Sequence, residues 1–358
     1  MEHNSSISVV STQMQLVNCI EAIHYYGFLH NELIIWAYSK TRQEQMISLL
    51  DKLDYRRLFV KVLIHTREGS DRKSILKSIC REKRFFKTYT INHYDAIILG
   101  NYKLLQEKYF LKRVIDANRE VRTIVVDDGL AACETAILRN NECNVGRMQF
   151  DETSPLFKLF YLNGLLFRWD APSSILFFTS FKNLLINECD SRSANDYAFL
   201  KEFINRSPAN SLDSYDIIII GQPLVQMHLL SKESYSDYII DCINGISEGG
   251  QLNIVYIPHP GENPDTSVST TLSAMISIKR MELPIELYLL SSNREKIKHI
   301  VGFYTSALVN IKQMELESCC RIHSLYFNEL EDLQNENLRR IIKNAYCFIG
   351  DNGISIMN

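Results

Sequence analysis

Nowhere in this 358-residue chain does an apolar run reach the roughly 20 residues that a membrane-spanning helix needs. Residues 1–15 are mostly polar, without a basic flank or a long apolar core, so neither a signal peptide nor a membrane anchor is expected. Charge of one sign is scarce too. The 39 basic and 42 acidic residues leave a net charge of −3 and a pI near 6.3, which supplies no bulk attraction for nucleic acid. The nine cysteines (Cys19, Cys80, Cys133, Cys143, Cys189, Cys242, Cys319, Cys320, Cys347) are scattered and lack paired metal-ligand spacing. They read as reduced thiols, and hence as the mark of a cytoplasmic protein. Internal repeats and low-complexity tracts are also missing. What is present is an ordinary globular balance, 46% hydrophobic and 23% charged. The length exceeds what one hydrophobic core usually serves, so two domains are expected.

Strand and helix patterns alternate along the first half. Ile7–Val10 reads as a strand, and in the helix after it Leu16, Cys19, Ile20 and Ile23 recur at helical spacing before Gly27 closes it. Further strands are expected at 32–38, 58–64, 95–100 and 122–126, with helices at 42–53, 72–83 and 103–118. This alternation implies βαβ units and a parallel sheet. Residues 155–185 are rich in aromatics, among them Phe157, Phe160, Tyr161, Phe167, Trp169, Phe177, Phe178 and Phe181, flanked by Lys158, Arg168 and Lys182. They read either as core packing or as an aromatic surface for a membrane interface. Residues 205–214 (NRSPANSLDS) form a polar, turn-rich linker. Alternation then restarts with strands at 215–221, 252–257 and 284–290 and helices at 235–246 and 293–301, followed by tail helices from 329 to 345. The expected boundaries are therefore 1–204 and 205–358, two α/β domains facing across a cleft. That description fits glycosyltransferases of the GT-B architecture, some epimerases and periplasmic binding proteins. The last group sits poorly with reduced cysteines and no signal peptide.

Two strand ends carry chemistry. Gly249–Glu262 (GGQLNIVYIPHPGE) is an apolar strand that must stop at Pro258-His259-Pro260, since proline donates no ladder hydrogen bond. His259 is thereby fixed at a strand's carboxyl edge, where open parallel sheets place ligands and where an imidazole can donate to developing negative charge. A turn histidine with no task is the competing reading. In the first half, Asp127-Asp128-Gly129 follows the apolar TIVV. Such a pair either binds a metal for a nucleotide diphosphate or supplies a general base with a partner that shapes the loop. The spaced Asp-x-Asp common in sugar-nucleotide metal sites is missing. A turn carrying a solvated acid pair is the third reading.

Together the Asp-Asp-Gly and His-Pro motifs resemble the two signatures shared by bacterial sialyltransferases, most of all glycosyltransferase family 52, the lipooligosaccharide sialyltransferases. The opening TQMQLVNCIEAIHYYG, with Gln15, Asn18 and Glu21, is similar to that family's first strand and helix. The resemblance implies a GT-B fold in which the first domain serves the acceptor and the second binds CMP-sialic acid. It implies Asp128 as the base that takes a proton from a glycan hydroxyl, with Asp127 supporting the loop, and inversion at the anomeric carbon. His259 would stabilise or protonate the departing phosphate. Glu286 stands where the ribose-binding glutamate is expected, on a strand. Thr305-Ser306, opening a helix, stands where the phosphate is held, with Ser291-Ser292 as a rival. Gly221 and Gln222, with Pro260, would touch the donor. Asp237 is a second candidate base, and Asn101 a candidate acceptor or sialic acid contact. Relatives carry Arg after His-Pro, whereas here Gly261 takes its place and Glu262 remains.

A monophosphate leaving group needs little charge compensation, so no metal and no cofactor is expected. The implied partners are CMP-sialic acid and a lipopolysaccharide, lipooligosaccharide or capsule glycan, with terminal galactose as the acceptor. Peripheral attachment to the inner face of the inner membrane and a homodimer built on the aromatic segment or tail helices go with the resemblance. Two other functions fit the same residues: transfer of another CMP-activated ulosonic acid, of the Kdo or legionaminic type, and a non-catalytic glycan-binding or assembly protein.

Overall fold

The computed structural model describes residues 4–66, 72–129, 131–149, 169–182, 184–204, 212–247, 252–262, 272, 276–291, 296–314 and 320–357. The chain divides into two compact units, Met1–Leu200 and Lys201–Asn358.

In the first unit the order is β1 (Ser5–Val10), α1 (Gln13–Tyr26), β2 (His30–Ala37), α2 (Lys40–Lys52), a 3₁₀ turn (Tyr55–Leu58), β3 (Phe59–Thr66), α3 (Arg72–Thr88), β4 (Ala96–Leu99), α4 (Leu105–Ala117), β5 (Arg122–Val126), α5 (Ala131–Val145), β6 (Leu176–Thr179) and β7 (Ser191–Ala194), with α6 (Ala198–Ile204) crossing the division. The second unit continues with β8 (Ile217–Ile220), α7 (Lys232–Ile246), β9 (Ile254–Ile257), β10 (Ser277–Ile278), α8 (Ile285–Ser291), β11 (His299–Gly302), α9 (Ser306–Gln313), β12 (Arg321–Leu325), a 3₁₀ turn (Asn328–Asp332), α10 (Glu336–Asp351) and β13 (Ser355–Met357).

Both sheets are parallel throughout. Their orders are β3-β2-β1-β4-β5-β6-β7 and β10-β9-β8-β11-β12-β13. Each order runs outward from its first strand and then reverses, the doubly wound pattern of a nucleotide-binding sheet. The reversal falls between β1 and β4 in the first unit and between β8 and β11 in the second. Burial explains the near-continuous apolar strands: Ile97, Ile98 and Leu99 in β4 and Ile217 and Ile218 in β8 are fully covered.

Between α5 and β6 the described residues are 146–149 and 169–175. They pair in a short antiparallel neck, where Met148 N donates to Trp169 O at 2.9 Å and Ala171 N to Gly146 O at 3.3 Å. Of the aromatic-rich segment, Trp169, Phe177, Phe178 and Phe181 are buried, which for these four means core packing. Residues 155–168 lie outside the described set, as does most of the 205–214 linker.

Two expected elements differ. Residues 284–290 form not a strand but the helix α8, and the helix expected over 293–301 gives way to β11 at its end. In α8 the run Ile285, Leu287, Leu289 mimics the period-two alternation of a half-buried strand. Pro284 instead opens a helical turn, accepting from Leu287 N at 3.1 Å.

Candidate functional site

The first unit gathers polar residues at the carboxyl ends of β1, β4 and β5, on the reversal of its sheet. Thr12 caps α1 and Gln15 completes a capping box: Thr12 Oγ1 accepts from Gln15 N at 3.2 Å, and Gln15 Oε1 accepts from Thr12 N at 3.3 Å. Gln15 Oε1 also accepts from Ser11 N at 2.6 Å and Ser11 Oγ at 3.0 Å. With its oxygen so engaged, the fully buried amide turns its nitrogen the other way, towards Asp128, whose pKa it lowers without reaching a well-aligned hydrogen bond. Gly100 makes room for this arrangement, since a Cβ there would collide with Gln15 Oε1.

The two motif aspartates have different surroundings. Asp127 is 2% exposed, and its Oδ2 accepts from Ser180 N at 2.7 Å and Ser180 Oγ at 3.0 Å. Burial pushes its carboxyl up to about 6, against the lowering effect of hydrogen bonds from Thr179 and Ser180. Asp128 is half-buried, and its Oδ2 accepts from Asn101 Nδ2 at 2.8 Å. Burial raises it as well, opposed by the Gln15 and Asn101 amides and by the charges of Arg42 and Lys103. Asp127 is thus tied down by Ser180, while Asp128 keeps partial exposure. Gly129 follows at φ +58°, the left-handed turn that lets the chain leave the strand.

The opening helix holds this loop from below. Asn18 Nδ2 donates to the Asp127 carbonyl at 2.9 Å and Asn18 Oδ1 accepts from Asn195 Nδ2 at 3.1 Å. One turn on, the Glu21 carboxylate accepts from the first amides of α6, Leu200 N at 2.6 Å and Phe199 N at 3.3 Å. Gln15, Asn18 and Glu21 therefore share one buried face and build the loop. Ser180, Arg42, Lys103 and Glu107 are neighbours that sequence reasoning did not single out.

In the second unit the Pro-His-Pro turn is tied down by Glu262. His259 N donates to Glu262 Oε1 at 2.7 Å, Tyr256 OH donates to Glu262 Oε2 at 2.7 Å, and Glu262 N returns to His259 O at 2.9 Å. Tyr256 and Tyr235 hydroxyls lie 3.2 Å apart, and Tyr235 OH accepts from Gln222 N at 2.9 Å. One network thus joins the ends of β8 and β9. The His259 ring is exposed, with Nδ1 accepting from Gly261 N at 2.9 Å. An accepting Nδ1 carries no proton, so the neutral ring holds its proton on Nε2. Pro260 is exposed beside it, and Gln222 Oε1 is buried with no hydrogen-bond partner.

Thr305 and Ser306 follow β11, next to β8 at the reversal of this sheet. Thr305 caps α9, its Oγ1 accepting from Ala307 N at 3.3 Å. Glu286 sits in the first turn of α8, buried at 4%, and its Oε1 accepts from Asn310 Nδ2 of α9 at 2.9 Å. Burial raises its carboxyl, opposed by the Asn310 hydrogen bond. Ser291 Oγ turns back onto the carbonyls of Leu287 and Tyr288, the ordinary fate of a helical serine, while Ser292 lies outside the described residues. Asp237 is exposed on α7 and not at a strand end. Asp127, Asp128 and Asn101 are therefore brought together in one unit, and His259, Pro260, Gly221 and Gln222 in the other, with Glu286 and Thr305-Ser306 joined through α9. Among the described residues no group of three or more His, Cys, Asp or Glu is arranged to hold a metal ion. No helix among them is long and apolar enough to cross a membrane.

Two doubly wound parallel sheets, each with its polar loops on the carboxyl edge, make this a GT-B fold. Among solved structures the chain is similar to the UDP-GlcNAc 2-epimerase of Methanocaldococcus jannaschii, solved with UDP-GlcNAc and UDP. The TM-score is 0.50 at 12% identity, over 95% of this chain and 92% of that one. It is also similar to MurG of Acinetobacter baumannii, at a TM-score of 0.42 and 9% identity over 99% and 84% of the two chains. A search of curated proteins finds no significant match. The model of the alpha-2,8-polysialyltransferase (POLYST) family matches residues 6–316, and the chain belongs to that family. That match and the motif resemblance agree at the level of a sialyltransferase-type glycosyltransferase.

Proposed function

We propose that the chain is an inverting, metal-independent sialyltransferase that moves sialic acid from CMP-sialic acid to a glycan hydroxyl. The observation that carries this reading is the family match over residues 6–316, which spans both the Asp-Asp-Gly and the His-Pro loops. The family's description favours the 8-hydroxyl of a terminal sialic acid over the terminal galactose expected from the motifs.

The geometry suits the chemistry. Asp128, raised in basicity by burial, takes the acceptor proton as the acceptor oxygen bonds to the anomeric carbon. The bond from that carbon to the phosphate oxygen breaks, and its electron pair leaves on CMP. His259 offers Nε2–H to the departing phosphate. With Nδ1 accepting from Gly261 N, Nε2 is the nitrogen that would donate to, or protonate, that phosphate. Thr305, Ser306 and the amino end of α9 add donors for the same phosphate. Glu286 takes the ribose hydroxyls, held by Asn310, and Gly221, Gln222 and Pro260 border the nucleotide. Within the proposed site, Asp127 shapes the loop.

The test is CMP release and product analysis with CMP-sialic acid, offering a sialic acid-terminated glycan and a galactose-terminated one side by side. Elongation of the sialylated acceptor with an α2,8 product is expected. Turnover of CMP-Kdo with none of CMP-sialic acid would overturn the donor assignment, and transfer to galactose alone would overturn the acceptor.

A further inference from the structure

Asp128 is one end of a hydrogen-bonded chain that runs through Asn101 to Glu107. Asn101 donates from Nδ2 to Asp128 Oδ2 at 2.8 Å, accepts on Oδ1 from Lys103 N at 3.1 Å, and donates its backbone N–H to Glu107 Oε2 at 2.9 Å. The side-chain amide is thereby oriented at both ends: the turn holds its oxygen, so its nitrogen must face the aspartate. Glu107 lies in the first turn of α4 yet is only 1% exposed, and its Oε1 has no hydrogen-bond partner. An acid at a helix's first turn is favoured by the dipole, but nothing in that preference calls for burying it. A buried carboxyl with an oxygen left over costs stability unless it serves something else. Burial raises its carboxyl well above the usual range; the hydrogen bond from Asn101 N opposes that rise, and the charge of Asp128 adds to it.

We propose that Asn101 and Glu107 are positioning residues for Asp128, Asn101 fixing the direction and charge of the carboxylate and Glu107 fixing Asn101 through its backbone amide. The inference rests on Asp128 being the base. It also gives Asn101 a different task from the acceptor contact suggested by its place at a strand end. The other groups facing Asp128 are Gln15 from α1, Arg42 from α2, Lys103 from the β4–α4 turn and its neighbour Asp127. None of these touches the backbone of Asn101 as Glu107 does.

The experiment uses the full chain with CMP-sialic acid and the sialylated acceptor, comparing Asp128→Asn, Asn101→Ala, Glu107→Ala and Glu107→Gln. Asp128→Asn should abolish turnover. Asn101→Ala should lower kcat by about tenfold to a hundredfold, as small misplacements of a base do, with KM for the donor within about twofold. It should also move the acidic limb of the kcat/KM–pH profile upward, because a donor to the charged carboxylate is lost. Glu107→Ala should reproduce both effects, and Glu107→Gln should recover most of the loss, since its amide oxygen accepts from Asn101 N as well. Normal turnover by Asp128→Asn would bring down the base assignment and the proposal with it. An inactive Asp128→Asn together with folded Asn101→Ala whose kcat and acidic limb match wild type would overturn the positioning proposal alone. Because Glu107→Ala empties a buried site, Asn101→Ala and Glu107→Gln decide the matter if that variant does not fold. A Glu107→Gln protein that is folded but as impaired as Asn101→Ala would remove Glu107 from the chain.

Discussion

The backbone N–H of Gly261 donates to Nδ1 of His259 at 2.9 Å, and that single bond decides which face of the imidazole can act. With Nδ1 accepting, the ring's proton sits on Nε2 in that tautomer. The Arg that the motif resemblance leads one to expect after His-Pro would add a charge here. The glycine instead adds a turn whose amide locks the ring, and a Cβ at 261 would press on His259 Nδ1 at 3.1 Å.

Replacements of His259 should therefore separate by which nitrogen they mimic. Asn places an amide where Nδ1 was and can keep the Gly261 bond, but it cannot reach the Nε2 position. Gln places its amide nitrogen near Nε2. We expect His259→Asn to stay folded with kcat/KM reduced about a hundredfold, the usual scale for losing one preorganised donor, and His259→Gln to retain more. CMP release by the two purified variants checks this, and equal activity of Asn and Gln would remove Nε2 from the mechanism.

Among the described glycines of the second unit, Gly221 has the tightest surroundings. A Cβ there would collide with Glu262 Oε1 and stand 2.5 Å from Tyr256 OH, and both atoms hold the His259 turn. Gly221→Ala should cost about 1–3 kcal/mol in denaturant unfolding, the range for overpacking, and should weaken donor binding along with it. Gly245 on α7 has open space around its Cβ position and serves as the control. There Ala should be neutral or stabilise by up to about 1 kcal/mol through helix propensity.

How much of this could be read from the chain depended on punctuation. The strand-end loops announced themselves through Gly100-Asn101, Asp127-Asp128-Gly129, Gly221-Gln222 and Pro258-His259-Pro260, because turns demand those residue types. IELYLL alternates as a half-buried strand does, and only tertiary packing shows that Pro284 starts a helix carrying Glu286. Glu107 and Lys108 escaped altogether. In a helix sequence two adjacent charges read as a solvated face, and both are buried. The one available signal was their place one turn beyond a strand-end Gly-Asn. Ser180 escaped because a serine after an apolar strand has many fates, and its bond to Asp127 spans 53 residues.

Asp127 makes a pH prediction with a definite sign. Its carboxyl is raised from 3.8 to about 6, so the folded state holds the proton more tightly than the unfolded chain. Stability from this group is full below about pH 4 and is lost as pH rises through about 6, a change on the order of 3 kcal/mol. Asn at this position cannot titrate and keeps an oxygen for Ser180 N–H and Oγ–H. The melting temperature of Asp127→Asn relative to wild type should therefore climb between pH 4 and pH 7. A constant difference across that range would show that the carboxyl does not titrate there.

Next to the antiparallel neck of the first unit lies a neutral cluster of two cations and two anions. Glu142 Oε1 accepts from Lys108 Nζ at 2.6 Å and Gln149 N at 2.7 Å, and its Oε2 from Tyr102 OH at 2.6 Å and Arg139 Nη1 at 3.1 Å. Arg139 also grips Asp190 with two nitrogens, at 2.8 Å and 3.1 Å, while Asp190 Oδ1 accepts from Ile175 N at 2.8 Å. Lys108, Arg139 and Glu142 are fully buried, so each charge depends on the others for the solvation that water would supply. Removing one member leaves an uncompensated charge: Glu142→Leu should cost about 3–5 kcal/mol. Removing Lys108 and Glu142 together keeps the cluster neutral and leaves the two-nitrogen Arg139–Asp190 pair in place. The double variant Lys108→Met/Glu142→Leu should therefore lose clearly less than the sum of the two single changes in urea titrations. The same variants locate the effect, because Glu142 holds Gln149 and Asp190 holds Ile175, on the two sides of the neck at 146–148 and 169–171. Hydrogen exchange should rise at both sides of the neck in Glu142→Leu and fall back in the double variant. Additive losses, or exchange that stays at wild-type levels in Glu142→Leu, would mean that the cluster does not hold the neck closed.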